Sequence, residues 1–572
     1  MYLRTVKARG GQGSQHEYLR LVECYRENGR VKQRVVMNLG RKDILAPHLE
    51  SLVRILQCKG AENSWVRAAE VNPREAACWG PVLVAKRLWQ ELGLDTILAD
   101  CGGKRRQEGA ALADRTFVLV ANRLCCPGSE HHLAAWLEID YVCDRQGKRW
   151  LPPWEEHGRV QVNLTWLQQW YRTLDKLLKH KEEIEQALYF KLRDLFSLQV
   201  ELVFYDLTSV YFEGDGPEEL AQYGYSRDGK PDNRQVLVGL VMVNGWPMAH
   251  YVFPGNRRDF ETVKETLEDL ERRFGLKRVV FVGDRGMVTS DNVNLLRQLG
   301  HGYLVGLQRR RREEVYQFIR KATGEWIECP SAKEEAKTYV REVAGEEPGI
   351  RIFVVHSEER ELYERGMREQ AMERTRVDLE KLRKRVAQGK LKVPEKIGAA
   401  AARALARHHG YRYFAWELRG GEFCYFEHPN LEREKAYEGK YLIQTEERGL
   451  SPVEAVESYK DLSEVERAFR SLKDVIKMRP IYHRDKGRAK GHIFVAVLAF
   501  LLQRALEKKL KVAGSRLSTE AALEALRTIH IVEIEVGSEC KQGVTRGSSR
   551  VREVLKALGI TTLTAPQVPK ID

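Results

Sequence analysis

Residues 198–214 read LQVELVFYDLTSVYFEG, and residues 277–287 read KRVVFVGDRGM. Each is a run of apolar, β-branched and aromatic residues, the composition of a strand covered on both faces. Each run delivers one aspartate where it stops: Asp206 after LVFY and Asp284 after VVFVG. An acid in that position is often a turn former or a helix cap. Two of them on strands of one sheet shift the reading toward a site, because a carboxylate beside a buried strand needs a compensating charge.

The chain between and after these runs completes the sheet. RQVLVGLVMVNGWPMAHYVFPGN (234–256) predicts a hairpin turning at Asn244-Gly245. FETVKETLEDLERRFGL (260–276) predicts an amphipathic helix closing on Gly275. TSDNVNLLRQLG (289–300) predicts a second helix, and HGYLVGL (301–307) a short strand. Strand-strand-strand-helix-strand-helix-strand is a mixed α/β sheet.

Further out, residues 1–72 are β-rich, with a hairpin signal at Glu27-Asn28-Gly29. Residues 73–198 are helical, and LVANRLCCPGSEHHLAAWLE (119–138) is compatible with a helix-turn-helix. The first part of the core covers 199–307. An inserted subdomain covers 308–445; it holds the run Arg309–Arg312, a basic helical segment at 374–407 and the strands YRYFAWELRGGEFCYFEH and GKYLIQTEE. The core resumes over 446–512 with a helix capped by Ser451 and started by Pro452. A C-terminal region, 513–572, follows.

The chain has 572 residues with 95 Lys plus Arg against 81 Asp plus Glu, a formal charge of +14. That length suits several domains. The excess favours a polyanionic partner such as double-stranded DNA. The ten cysteines show no zinc spacing and no disulfide framework, so reduced thiols in a cytosolic protein are expected. The N-terminus has no apolar h-region. The apolar run GHIFVAVLAFLLQRAL (491–506) is interrupted too soon for a membrane span and reads as a buried helix, so no membrane partner is expected.

Phosphodiester cleavage without a covalent intermediate uses two hard cations held largely by carboxylates. Asp206 and Asp284 supply two acids. The third must come from the restarted helix, which offers Glu454, Glu457, Asp461, Glu464, Glu466 and Asp474. Spacing alone does not choose among them, although Glu466 lies beside the apolar stripe of Val465, Phe469 and Leu472.

The segments FYDLTSVYFEG, YGYSRDGKPDNRQVLVGLVM, FPGNRRDFET, VGDRGMVTSDN and YKDLSEVERAFRSLKDVIKMRPIYHR, in that order, resemble the DDE transposases of bacterial insertion sequences. They are most similar to the insertion-sequence-1634 branch of the insertion-sequence-four superfamily. The resemblance implies a ribonuclease-H-like core split by a large insertion, here 78 residues between Asp206 and Asp284 and 182 between Asp284 and Glu466. It selects Glu466 through a signature of Tyr, Arg, Glu and Lys, on which Tyr459, Glu466 and Lys473 fall; the Arg position is Leu462. It implies that Asp206, Asp284 and Glu466 hold two Mg2+ or Mn2+ ions. It further implies that Tyr459, Lys473, Arg467 and Arg470 lie near DNA, the arginines taking over from Leu462. By residue type, Trp326 and Trp416 are candidates to hold an unstacked base and His483 and His492 to line the site; a place in the core suits all four as well.

The implied activity is binding of terminal inverted repeats, metal-dependent cleavage and joining of 3′ ends to target DNA, with a homodimer holding two ends in a synaptic complex. A ribonuclease-H-fold nuclease without strand transfer is the alternative within enzymes. A decayed DNA-binding protein is the alternative outside them, and the intact acids weigh against it.

Overall fold

The computed structural model of the chain describes residues 2–9, 15–27, 30–48, 50–51, 71–102, 106–151, 164–196, 202–258, 261–276, 279–283, 290–307, 313–330, 337–536 and 539–566. Asp284 and the run Arg309–Arg312 lie outside the described residues. The chain divides into two compact units, residues 1–74 with 533–541 and residues 75–532 with 542–572.

The first unit is built on an antiparallel sheet of β1 (Tyr2–Arg9), β2 (Gln15–Glu27) and β3 (Arg30–Arg41), in the order β1-β2-β3. The register of β2 on β3 slips at Leu19/Arg20 and again at Leu21/Val22. Such bulges bend and twist a ribbon of only three strands. Residues 28 and 29 of the expected turn lie outside the described residues.

Strand β4 (Val71–Cys78) begins in the first unit and ends in the second, where α1 (Gly80–Glu91) and α2 (Arg106–Cys125) follow, with a short helix at Leu133–Ile139. Then come α3 (Leu164–Lys179) and α4 (Lys181–Phe196). The sheet opens with β5 (Leu202–Tyr211), β6 (Gln235–Val243) and β7 (Trp246–Pro254), all antiparallel neighbours. Asn244 and Gly245 both have positive φ, 50° and 75°, as a tight hairpin matched to strand twist requires. After α5 (Thr262–Phe274), closed by Gly275 at φ 66°, β8 (Val280–Gly283) returns parallel to β5. After α6 (Ser290–Gln298), β9 (Gly302–Gly306) lies parallel to β8.

The inserted segment does not form a separate layer. Its strands β10 (Ile327–Cys329), β11 (Thr338–Ala344) and β12 (Arg351–Ser357) join the same sheet, with β15 (Lys440–Thr445) pairing antiparallel to both β12 and β9. The nine strands run β10-β11-β12-β15-β9-β8-β5-β6-β7. The physical reason is the exposed edge of β9, whose unpaired backbone groups are satisfied by a further strand. The rest of the insertion, α7 (Glu358–Ala387), α8 (Pro394–Arg407), β13 (Phe414–Arg419) and β14 (Glu422–Glu427), closes around its own apolar cluster.

The core strands are apolar without alternation because both faces are covered. Val203, Tyr205 and Leu207 of β5 pack with Val263, Leu267 and Leu270 of α5. Phe204 and Val210, on the opposite side of the pleat, pack in the cluster that holds Val465 and Phe469 of α9 (Pro452–Arg470) and Phe494 of α10 (Lys486–Val512). Helix α10 is the one described helix long and apolar enough to cross a bilayer, and its apolar stretch is buried inside the protein.

A buried charge cluster ties the N-terminal helices to the sheet. Glu185 on α4 receives His250 Nδ1 of β7 at 2.7 Å and Arg273 of α5 at 2.6 Å, and pairs with Lys181 at 2.8 Å. Arg273 also donates to Asp269 at 2.6 Å.

Candidate active site

Asp206 does not close its strand. The sequence reading stopped β5 at the acid, but LTSV continues the β-branched pattern and the strand runs on to Tyr211. Asp206 sits in mid-strand, opposite Leu240 of β6, and is half-buried. Alternation puts it on the side of Phe204 and Val210, which is the face covered by α9.

Helix α9 starts with a complete capping box, Ser451 Oγ accepting from Glu454 N and Glu454 from Ser451 N. It buries Leu462, Val465, Ala468 and Phe469 against the sheet. Leu462 is thus a core residue, 6% exposed. An arginine there would have to bring its charge among apolar side chains, so the departure from the family signature is consistent with local packing.

Tyr459, Glu466 and Lys473 are spaced seven residues apart, and so recur on one stripe of the helix. The two ends of that stripe are anchored on different strands. Tyr459 covers the end of β9: a Cβ on Gly306 would lie 2.1 Å from the Tyr459 hydroxyl. Its ring also meets Tyr441 of β15, with centroids 5.8 Å apart. At the other end the helix widens into a π turn, Ser471–Val475, which carries Lys473. Lys473 Nζ donates to Asp228 at 2.8 Å, and the neighbouring Arg227 N donates to Ser209 of β5 at 2.9 Å. Glu466, midway and exposed, therefore belongs to the span between β9 and β5, the span that holds β8.

Gly306→Ala should push Tyr459 off the strand end and destabilise the protein by about 1–3 kcal/mol, as overpacking does. Chemical denaturation of the full chain measures it.

The predicted DNA-facing residues separate in the structure. Arg470 is exposed. Arg467 is engaged with Glu464, which also holds Arg504 at 2.6 Å. Lys473 is largely buried; burial pulls its ammonium pKa down, while Asp228 works the other way. Asp228 is the functional candidate that the sequence reading missed. The signal available was its place in YGYSRDGKPDNRQ (223–235).

Trp416 stacks on Phe423 with centroids 5.6 Å apart, and Trp326 packs edge-on to His356 at 6.1 Å; both are half-buried. The basic segment 374–407 is two helices broken before Pro394, and many of its arginines are paired on the spot, among them Arg376 with Glu373 and Arg383 with Glu380.

His483 and His492 gather around Glu130 with ligand atoms within 4.8 Å of one another. His492 Nε2 meets the Met478 carbonyl at 3.1 Å, and its Nδ1 faces Arg123 at 3.4 Å. Burial favours the neutral Glu130 carboxyl, but His483, His492 and Arg123 together hold its pKa at about 2. Arg123 already supplies the cation that balances Glu130, and burial with Arg123 beside it lowers His492 to about 3. This cluster is a neutralised brace between α2 and the start of α10.

Asp206 and Glu466 are oxygen donors brought to one face of the sheet, with no thiol or imidazole between them in the predicted set. That donor type fits a hard divalent ion.

Comparison with known proteins gives the family. The family description "Transposase DDE domain" matches residues 200–502, more than half of the chain. "IS1634 family transposase, N-terminal domain" matches residues 3–65. A search of curated proteins gives no match. Among solved structures, the chain is similar to "Cryo-EM structure of piggyBac transposase synaptic complex with hairpin DNA (SNHP)", at 8% identity and TM-score 0.33 over 80% of this chain and 82% of that one. The match over 200–502 spans both Asp206 and Glu466, and with the N-terminal match it makes the chain a DDE transposase of the IS1634 family, an enzyme that cuts and joins DNA and depends on divalent metal.

Proposed function

We propose that this transposase binds the terminal inverted repeats of its insertion sequence, frees their 3′ ends by hydrolysis and joins those ends to target DNA. The observation that carries the reading is the stripe Tyr459–Glu466–Lys473 laid from β9 to β5, on the face that Asp206 shares. The order β7-β6-β5-β8-β9, with β5, β8 and β9 parallel, supports a ribonuclease-H-like core. Leu202 pairs with Val280, an offset of 78 residues that is also the separation of Asp206 and Asp284. We take Asp284 as the partner of Asp206 on that basis.

Asp206, Asp284 and Glu466 would hold two Mg2+ or Mn2+ ions, which supply an activated water and stabilise the leaving oxygen. The chain's own residues do the rest. Asp206 is set in the β5–β6 ladder opposite Leu240, two residues beyond the last described β5–β8 pair, so its carboxylate has a defined place before DNA arrives. Glu466, on a helix packed over the same sheet, closes the site from above. Arg470 and Lys473 lie further along the helix and would position backbone phosphate rather than read bases. Arg470→Ala should reduce the salt slope of DNA binding by about one, read by fluorescence anisotropy at several ionic strengths.

Two ends cut together call for a dimer, acting on nucleoid DNA in the cytoplasm. The test is incubation of the full-length protein with linear DNA bearing the element's ends and a supercoiled target. Joined products with both ends inserted are expected. Cleavage without joining would favour a nuclease, and neither activity would overturn the reading.

A further inference from the structure

The loop between β5 and β6 folds Asp228 into the protein, where its side chain is 4% exposed. Oδ1 accepts from Lys473 Nζ at 2.8 Å and also meets the Arg479 guanidinium, while Oδ2 is buried with no hydrogen-bond partner among the described residues. Arg479 is fixed in turn by Asp474 at 2.8 Å. The loop backbone is pinned on both sides of the acid, by Arg227 N on Ser209 Oγ at 2.9 Å and by Lys230 N on Ser226 Oγ at 3.0 Å.

Lys473 has one acid and two cations around it, Asp228 against Arg479 and Arg227. Burial and both arginines favour the neutral amine; Asp228 is what opposes them. The trio of Lys473, Arg479 and Asp228 still carries one net positive charge. An ammonium has three donors, and Asp228 takes one of them, so donors remain for an anion.

We propose that Asp228 is a positioning residue for DNA: its carboxylate keeps Lys473 cationic and, with Arg479, aimed at a backbone phosphate of the bound end. It acts through Lys473 and touches no DNA itself. The proposal rests on the DNA-end reading above.

The experiment uses the full-length protein and fluorescently labelled duplex, once with the element's end and once with unrelated sequence. Anisotropy is read without divalent metal from about pH 6 to 10 and at several salt concentrations. The proteins are wild type, Asp228→Asn, Lys473→Arg and the double variant. Asn keeps the shape of Asp and removes its charge. Wild type is expected to bind evenly through neutral pH. Asp228→Asn should match it near the acid end, then weaken as pH rises, with a salt slope lower by about one. The double variant should stay flat, because a guanidinium keeps its proton throughout this range.

An Asp228→Asn curve parallel to wild type at every pH overturns the proposal, as does a double variant that loses affinity like Asp228→Asn. Should Asp228→Asn fail to fold, Asp228→Glu carries the test: a wild-type pH profile supports a charge-holding role, and a profile shifted to acid overturns it. Failure of the end-binding reading looks different. The wild type would then prefer neither duplex, and the salt slopes on either one would still decide the role of Asp228.

Discussion

Asp206→Ala and Glu466→Ala should each lower metal-dependent DNA cleavage by more than about 100-fold while leaving DNA binding intact. Loss of groups that merely orient metal ligands costs about 10–100-fold, and loss of a ligand exceeds that. Both variants should fold. Glu466 is exposed, so its removal leaves no cavity. Asp206 is half-buried in a strand paired on both sides, and removing its charge relieves desolvation. The measurements are cleavage of labelled end DNA with Mg2+, anisotropy of the same DNA without metal, and a thermal melt. Full cleavage by either variant would remove that residue from the site. Loss of binding along with cleavage would assign it to DNA contact instead.

Glu185→Ala should destabilise the protein by about 3–5 kcal/mol, the range for removing one partner from a buried ion pair. Glu185 is 4% exposed and Arg273 5%. The substitution leaves the Arg273 guanidinium with the Asp269 carboxylate and the Tyr251 hydroxyl. Since α4 carries Glu185 and α5 carries Arg273, the helical layer should loosen from the sheet and the melt should broaden.

The same cluster sets a pH limit. Burial, aided by Lys181, lowers the His250 pKa from 6.5 to about 4 despite Glu185 beside it. Glu185 is held well below the usual carboxylate range; burial opposes this, but Lys181, His250 and Arg273 outweigh it. Both folded-state values are lower than the unfolded ones, so the unfolded chain binds more protons in acid. Stability should be full above about pH 6.5 and fall as pH drops toward 4, first through His250 and then through Glu185. Melts in a pH series check the sign. A Tm that rises on acidification would show that His250 is protonated in the folded protein.

Much of the sheet was readable because its strands are covered on both faces. Continuous apolar runs such as LVFY and VLVGLVMV carry that information locally, as does the Asn244-Gly245 turn. The insertion was not readable in the same way. Its strands are short and mixed, and they reach the core only through β15, which pairs with both β12 and the edge of β9, an order that no local pattern in 327–357 announces. The site divides along the same line. Asp206 stood out because a carboxylate interrupts an apolar run. Glu466 is one of several acids on a charged helix, and only the family signature chose it.

By itself, then, the sequence determined the mixed sheet, the acid on β5 and the family, because burial on both faces and ordered motifs are written in consecutive residues. Tertiary structure alone decided the rest. It turned Leu462 into core, since that face of α9 lies on the sheet. It placed Asp206 in mid-strand rather than at a strand end. And it joined Asp228 to Lys473, 245 residues apart, because ion pairing depends on distance in space and leaves no trace in spacing along the chain.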